Sequence, residues 1–323
     1  MGKKVDYEKI KECRVEKGLT QADLSEKSGI NISIIKSLET GRSITNDENI
    51  KIITDALNID FGEIVNEDYR ETKVIAVTNN KGGSGKTSVV ASLGYCLAEM
   101  DKKVLLIDSD MQMNLSFSYG FGQDPKNLNN AILEENDLQN YIKQTEYENI
   151  DIILADFELA SLDMIIFTKK LRETVFKRIL QNTIDSGKYD YILIDTNPTL
   201  SLLNYNILNG SDYVIVPVEM TAFGILGLEV LTRFIKESQE MNSELKLAGV
   251  LRTKVDKREG ITEEANKVLE SIFEVEIFDS SIPIDTNVKK AQWEQQPLNI
   301  FSKNSRANKA YRRFAKELIS VIK

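Results

Sequence analysis

Residues 79–88 read NNKGGSGKTS and follow the apolar run KVIAV after a single threonine, Thr78. An apolar strand that enters a glycine-rich turn, with a helix opening at a Lys-Thr pair, is the context a phosphate-binding loop requires. Backbone N–H groups around Gly82, Gly83 and Gly85 close on phosphate oxygens, reinforced by the positive end of the helix that follows. Lys86 is expected to reach the β- and γ-phosphates, and the Thr87 hydroxyl to bind Mg²⁺. The expected nucleotide-binding set is Asn80, Lys81, Gly82, Gly83, Ser84, Gly85, Lys86, Thr87 and Ser88. One character departs from the usual G-x-x-x-x-G-K-[ST]. Counted back from Gly85, the first glycine would fall at position 80, where Asn80 stands, and an extra lysine, Lys81, comes directly after it.

From Lys73 onward, apolar runs alternate with helical stretches: KVIAVTNN, KTSVVASLGYCLAEM, KKVLLIDSD, YDYILIDTNP, DYVIVPVEM, LKLAGVLRTKVD and VEIFDSSIP. Strands apolar on both faces and separated by helices predict a doubly wound, mostly parallel α/β sheet over residues 68–323. Before about Val65 the pattern is short helices with no convincing strand, which sets off a small all-α module over residues 1–67. The polar stretch NEDYRETK reads as a linker between the two.

In an open α/β sheet the carboxyl ends of strands line the ligand crevice. YILIDTNP therefore places Asp195 to hold Mg²⁺ through water. VLLIDSD places Asp108 and Asp110 nearby, and both reach the site only if the strand bends at its end. With no histidine in 323 residues, any general base is a carboxylate, a lysine or water. Cys13 and Cys96 are too few for a disulfide framework or a thiolate metal site and read as packing residues.

The motifs KGGSGKT, VLLIDSDMQMNLS, YDYILIDTNP, VPVEMTAFGILGL and LRTKVDKRE occur in order, at spacings similar to those of the ParA/MinD family of ATPases, over about residues 73–323. That resemblance implies ATP and Mg²⁺ as the nucleotide and metal. It gives Lys81 a catalytic role across a homodimer, on the partner subunit's phosphates, so that dimerisation reports the γ-phosphate and hydrolysis releases it. It gives Asp110 the positioning of the attacking water, Asp108 a supporting switch role, and Asp256 and Pro283 places near the base. Two departures stand out: Asp110-Met111-Gln112 where the family usually has Asp-Pro-Gln, and Asn197-Pro198 where it often has Pro-Pro.

LTQADLSEKSGINISIIKSLETGR has the grammar of a helix-turn-helix. Ala22 and Leu24 are expected to pack inward, Gly29 to make the left-handed turn, Asn31 to cap the second helix, and Ile35 and Leu38 to face back on the first. The segment resembles the Xre/Cro repressor family over about 60 residues, including the Glu39-x-Gly41-Arg42 ending. The resemblance puts Gln21 on a DNA phosphate and Ile32, Ser33, Lys36 and Ser37 in the major groove. A helical module for protein contacts is the plainer reading.

A formal net charge of −9 argues against a surface built throughout for DNA. From Thr286 onward the balance reverses, with nine basic residues against Glu294 and Glu317. Lys289, Lys290, Lys303, Arg306, Lys309, Arg312 and Arg313 are read as a stripe for DNA phosphates, against the plainer reading of a solvated face. Lys257 and Arg258 sit where partition ATPases carry basic DNA contacts. Tyr311, Phe314, Leu318 and Ile322 lie on one stripe of the last helix, which reads as a core face rather than a membrane anchor. No apolar run approaches the roughly 18 residues of a membrane span.

The combined expectation is a cytoplasmic, nucleoid-associated DNA-partition ATPase. An ATP sandwich dimer would coat DNA, a centromere-binding ParB-like adaptor would release it, and the amino-terminal module would bind an operator. The alternative is an ATP-switched transcription regulator that meets DNA only through the helix-turn-helix.

Overall fold

The structure is a computed structural model that describes residues 2–40, 45–221, 228–256, 269 and 277–322. The chain divides into two compact units, Met1–Arg70 and Glu71–Lys323.

The first unit packs α1 (Tyr7–Glu16), α2 (Gln21–Ser28), α3 (Ile32–Glu39), α4 (Asp47–Leu57) and α5 (Phe61–Ile64) around Ile10, Leu24, Ile35, Leu38, Ile50, Ile53 and Leu57. Thr20 opens α2 with a reciprocal capping box to Asp23, Gly29 closes it at φ 71°, and the Asn31 side chain caps α3. Ile35 and Leu38 are buried as the spacing predicts, but Ala22 is exposed. Two residues of helix separate Ala22 from Leu24 by about 200°, so both cannot face one core. The Arg14 guanidinium forks onto Glu39 at 2.6 and 2.8 Å and also donates to the Leu19 carbonyl.

The expectation of no strand here is corrected. β1 (Gly2–Val5) pairs antiparallel with β2 (Val65–Tyr69), so part of the presumed linker belongs to the first unit. Asn66, Glu67 and Asp68 carry no apolar alternation in the sequence, so their backbone pairing leaves no trace in a hydrophobicity pattern.

In the second unit the described residues form an eight-stranded sheet of β3 (Lys73–Val77), β4 (Val104–Ser109), β5 (Lys143–Gln144), β6 (Ile150–Ile153), β7 (Tyr191–Thr196), β8 (Tyr213–Glu219), β9 (Lys246–Val255) and β10 (Ile277–Pro283). The order is β10-β9-β8-β3-β7-β4-β6-β5, parallel throughout except for the short edge strand β5. The pleat divides β3 between two cores. Val74 and Ala76 face one layer with α8 (Leu128–Glu134), α9 (Leu162–Thr168), α10 (Val175–Asp185), α11 (Leu202–Asn209) and α12 (Leu228–Met241). Ile75 and Val77 face the other, with α6 (Lys86–Ala98), α7 (Asn114–Ser118), α13 (Thr286–Trp293), α14 (Leu298–Phe301) and α15 (Arg306–Val321).

Tyr311, Phe314, Leu318 and Ile322 of the last helical segment are buried in that second core, Phe314 edge-on to Phe278 at 4.9 Å. Cys96 is buried there too, and burial pushes its thiol up to about 12. No helix among the described residues is long and apolar enough to cross a membrane.

Candidate nucleotide site

β3 lies between β8 and β7. Its exit loop therefore meets the carboxyl ends of both neighbours and, one strand further, that of β4. Gly83 and Gly85 hold φ of 78° and 96°, where a side chain is disfavoured. Hydrogen bonds from three side chains fix the loop and the strand end before it. The Asn79 side chain donates to the Pro217 carbonyl and accepts from the Lys81 N–H, both at 2.8 Å. The Thr253 hydroxyl donates to the Ser84 carbonyl at 2.7 Å, and Thr196 Oγ1 donates to the Val77 carbonyl at 3.0 Å. Sequence reading missed Asn79 and Thr253. Their partners are 138 and 169 residues away, so only sheet order brings them together.

Lys86 is buried at the start of α6, its Nζ donating to the Lys81 carbonyl at 3.3 Å. Burial pulls its pKa down, while the Asp195 and Asp110 charges oppose that. The two lysines thus part company. Lys86 turns inward along the loop, whereas Lys81 pairs with Glu219 at the end of β8, Nζ to Oε2 3.3 Å.

Asp108 and Asp195 are register partners across β4 and β7. Asp108 accepts from the Ser116 N–H and hydroxyl, each at 2.8 Å, and from the Asp110 N–H at 3.2 Å. The chain bends directly after β4, so Asp110 is also buried on this side and accepts from the Gln112 N–H. Burial lifts Asp108 to about 6 against those hydrogen bonds. Asp195 is lifted well above the carboxylate range by burial and by Asp108, with Thr87 and Lys86 partly offsetting this. Neither Asp195 oxygen receives a hydrogen bond of normal geometry, and the buried Ser84 hydroxyl also lacks a partner.

A buried carboxylate with no hydrogen bond of normal geometry is chemically suited to a cation, so the residues fit Mg²⁺. Thr87 and Asp195 would hold it. Mg²⁺ needs only one or two protein ligands when phosphate oxygens and waters complete its shell, and the described residues hold no cluster of three or more carboxylate, thiol or imidazole ligands.

Asp256 and Pro283 line a cavity of about 570 Å³ at the ends of β9 and β10, whose walls include Ile284, Arg306, Lys309 and Arg313. The expected basic stripe is therefore divided. Arg306, Lys309 and Arg313 share the cavity face of α15, while Lys289 and Lys290 are exposed on α13. Arg312 leaves the group: its guanidinium forks onto Glu99 of α6 at 2.8 and 2.9 Å. Helical periodicity explains the split, because Arg312 and Arg313 point about 100° apart.

On α3, Ser33 and Lys36 are exposed and Ile32 and Ser37 half-buried. The Gln21 amide donates to Glu39 at 2.8 Å, which ties it into the Arg14 network. Gly41, Arg42, Lys257 and Arg258 lie outside the described residues, as do residues 222–227 of the VPVEMTAFGILGL motif.

An AAA domain family matches residues 72–247, and a helix-turn-helix family matches residues 10–64. The sporulation initiation inhibitor protein Soj of Bacillus subtilis is 32% identical over 249 residues, 76% of this chain and 98% of that protein. The chromosome partitioning protein ParA of Caulobacter vibrioides is 31% identical over 251 residues, 77% of this chain and 94% of that protein. Among solved structures, cobyrinic acid a,c-diamide synthase from Mycobacterium smegmatis, with a bound ATP analogue and magnesium, superposes at TM-score 0.66. It is 30% identical, over 77% of this chain and 94% of that one.

Proposed function

Because this chain belongs to the ParA/MinD family of P-loop ATPases, with a helix-turn-helix domain before the ATPase domain, we propose that it partitions replicon DNA through an ATP-dependent sandwich dimer. It hydrolyses ATP to ADP and phosphate and uses Mg²⁺. In the proposed cycle the glycine loop and Lys86 seat the triphosphate, and Lys81 crosses to the phosphates of a second copy. Thr87 and Asp195 would hold Mg²⁺, which would supply neutralisation of the phosphoryl charge. Asp110 orients the attacking water, and Asp108, tied to Ser116 in the middle of α7, passes the state of the γ-phosphate to the segment after β4.

The observation that carries this reading is the position of Lys81. Its backbone belongs to the phosphate loop, yet its ammonium lies on Glu219 while Lys86 follows the loop inward. A cation whose backbone belongs to the loop while its ammonium pairs with Glu219 is suited to serve another molecule's phosphates.

DNA is bound without sequence preference through Lys289, Lys290, Arg306, Lys309 and Arg313, doubled in the dimer and so dependent on ATP. A centromere-binding ParB-like adaptor stimulates hydrolysis and releases the dimer, as the likeness to a chromosome partitioning protein suggests. The amino-terminal module reads an operator through the outer side of α3, and the protein works in the cytoplasm on the nucleoid.

The exposure of Ser33 and Lys36 on α3 also supports the second reading, an ATP-switched regulator that meets DNA only there. Retention of random-sequence duplex by the full chain, with ATP and with ADP, separates the two. Partition requires ATP-dependent retention that Lys289→Ala/Lys290→Ala lowers and Lys36→Ala leaves intact. Retention lost with Lys36→Ala alone would hand the function to the regulator.

A further inference from the structure

A third lysine stands at the phosphate loop. Along a regular strand successive side chains point to opposite faces, so once Thr253 donates to the Ser84 carbonyl, Lys254 should point away. It does not. Lys254 takes φ 51°, a left-handed conformation that a lysine adopts at a cost. Its Nζ comes within 3.7 Å of where a side chain on Gly83 would begin. There it pairs with Glu219 Oε1 at 3.6 Å, while Lys81 holds Oε2 of the same carboxylate at 3.3 Å.

One carboxylate therefore serves two lysines. If Lys81 leaves for phosphate, Glu219 would remain as a bare negative charge beside a nucleotide of about four negative charges, an arrangement like-charge repulsion disfavours. We propose that Lys254 is a positioning residue of the nucleotide site that keeps Glu219 neutralised when Lys81 moves to a partner's phosphates. This rests on the proposed sandwich dimer. It adds that release of Lys81 is an exchange between two cations on one carboxylate, and the left-handed backbone at Lys254 is what keeps the second cation in place.

The test uses the full chain with Mg²⁺ and AMPPNP, and reads dimer dissociation by analytical ultracentrifugation. Lys254→Asn suits it because asparagine adopts left-handed backbone readily, so folding is preserved or improved. The expected result is a dimer about tenfold weaker with Lys254→Asn, near wild type with Lys254→Arg, and restored to within about threefold when Glu219→Gln is added to Lys254→Asn. A dimer unaffected by Lys254→Asn, or a loss that Glu219→Gln does not repair, overturns the role of Lys254. In either case the sandwich still stands if Lys81→Ala abolishes the wild-type dimer. A wild-type chain that stays monomeric with AMPPNP sinks the sandwich and this proposal together.

Discussion

Asp108 and Asp195 are register partners on adjacent strands, both wholly buried; Asp108 accepts three hydrogen bonds, whereas none of normal geometry reaches Asp195. Two carboxylates from neighbouring strand ends share a buried crevice, and burial favours their protonated forms. Asp108 rises from 3.8 to about 6, and Asp195 rises further.

The sign of the pH dependence follows. An acid whose folded pKa is raised stabilises the fold fully below its unfolded value and loses that contribution as pH climbs through the folded one. The nucleotide-free chain is therefore expected to melt higher at pH 5.5 than at pH 7.5, by a few degrees, for an effect on the order of 2 kcal/mol. Asp195→Asn should raise the nucleotide-free melting temperature at pH 7.5 and remove the rise given by MgATP. Differential scanning calorimetry at both pH values, with and without MgATP, checks this, and a lower melting temperature for Asp195→Asn would contradict it.

Lys86 and Asp110 divide binding from turnover. Lys86→Ala loses a charge-assisted contact to phosphate and is expected to weaken ATP binding on the order of 100-fold. Asp110→Ala should bind ATP normally, hydrolyse it about 100-fold more slowly, and elute as a persistent dimer. Nucleotide retention, phosphate release and size-exclusion chromatography distinguish these outcomes. ATP binding unchanged in Lys86→Ala would mean the loop is misread.

The helical module depends on one ion pair. Arg14 and Glu39 have side-chain exposures of 9% and 1%, so Arg14→Met strands a buried charge and should cost about 3–5 kcal/mol. Replacing both, with Arg14→Met and Glu39→Leu, should recover much of the loss. Hydrogen exchange over residues 2–40 gives the readout, and equal exchange in the single and double variants would refute the assignment.

Trp293 is the chain's sole tryptophan, 86% exposed, and one helical turn beyond Lys289 on α13. DNA held by Lys289 and Lys290 should pass beside it. Titration with random-sequence duplex in the presence of ATP is expected to quench its emission. Binding with no change in emission would move the DNA path to the α15 residues.

Local chemistry made much of this protein legible from its sequence. The phosphate loop, the strands that carry Asp108 and Asp195, the turn at Gly29 and the cap at Asn31 are each set by residues within a few positions of one another, so spacing and propensity suffice. Short or polar pieces escaped: β6 is four residues long, and β1 and β2 pair without an apolar alternation in their sequence. The side chains that finish the site were decided only by tertiary structure. Glu219 meets Lys81 and Lys254, Thr253 clamps Ser84, and Glu99 takes Arg312 out of the basic face. Each pairing except that of Glu219 with Lys254, its neighbour across β8 and β9, joins residues more than a hundred positions apart. Which strand lies beside which, and which helix covers which face, fixes such partners, and no local spacing encodes that.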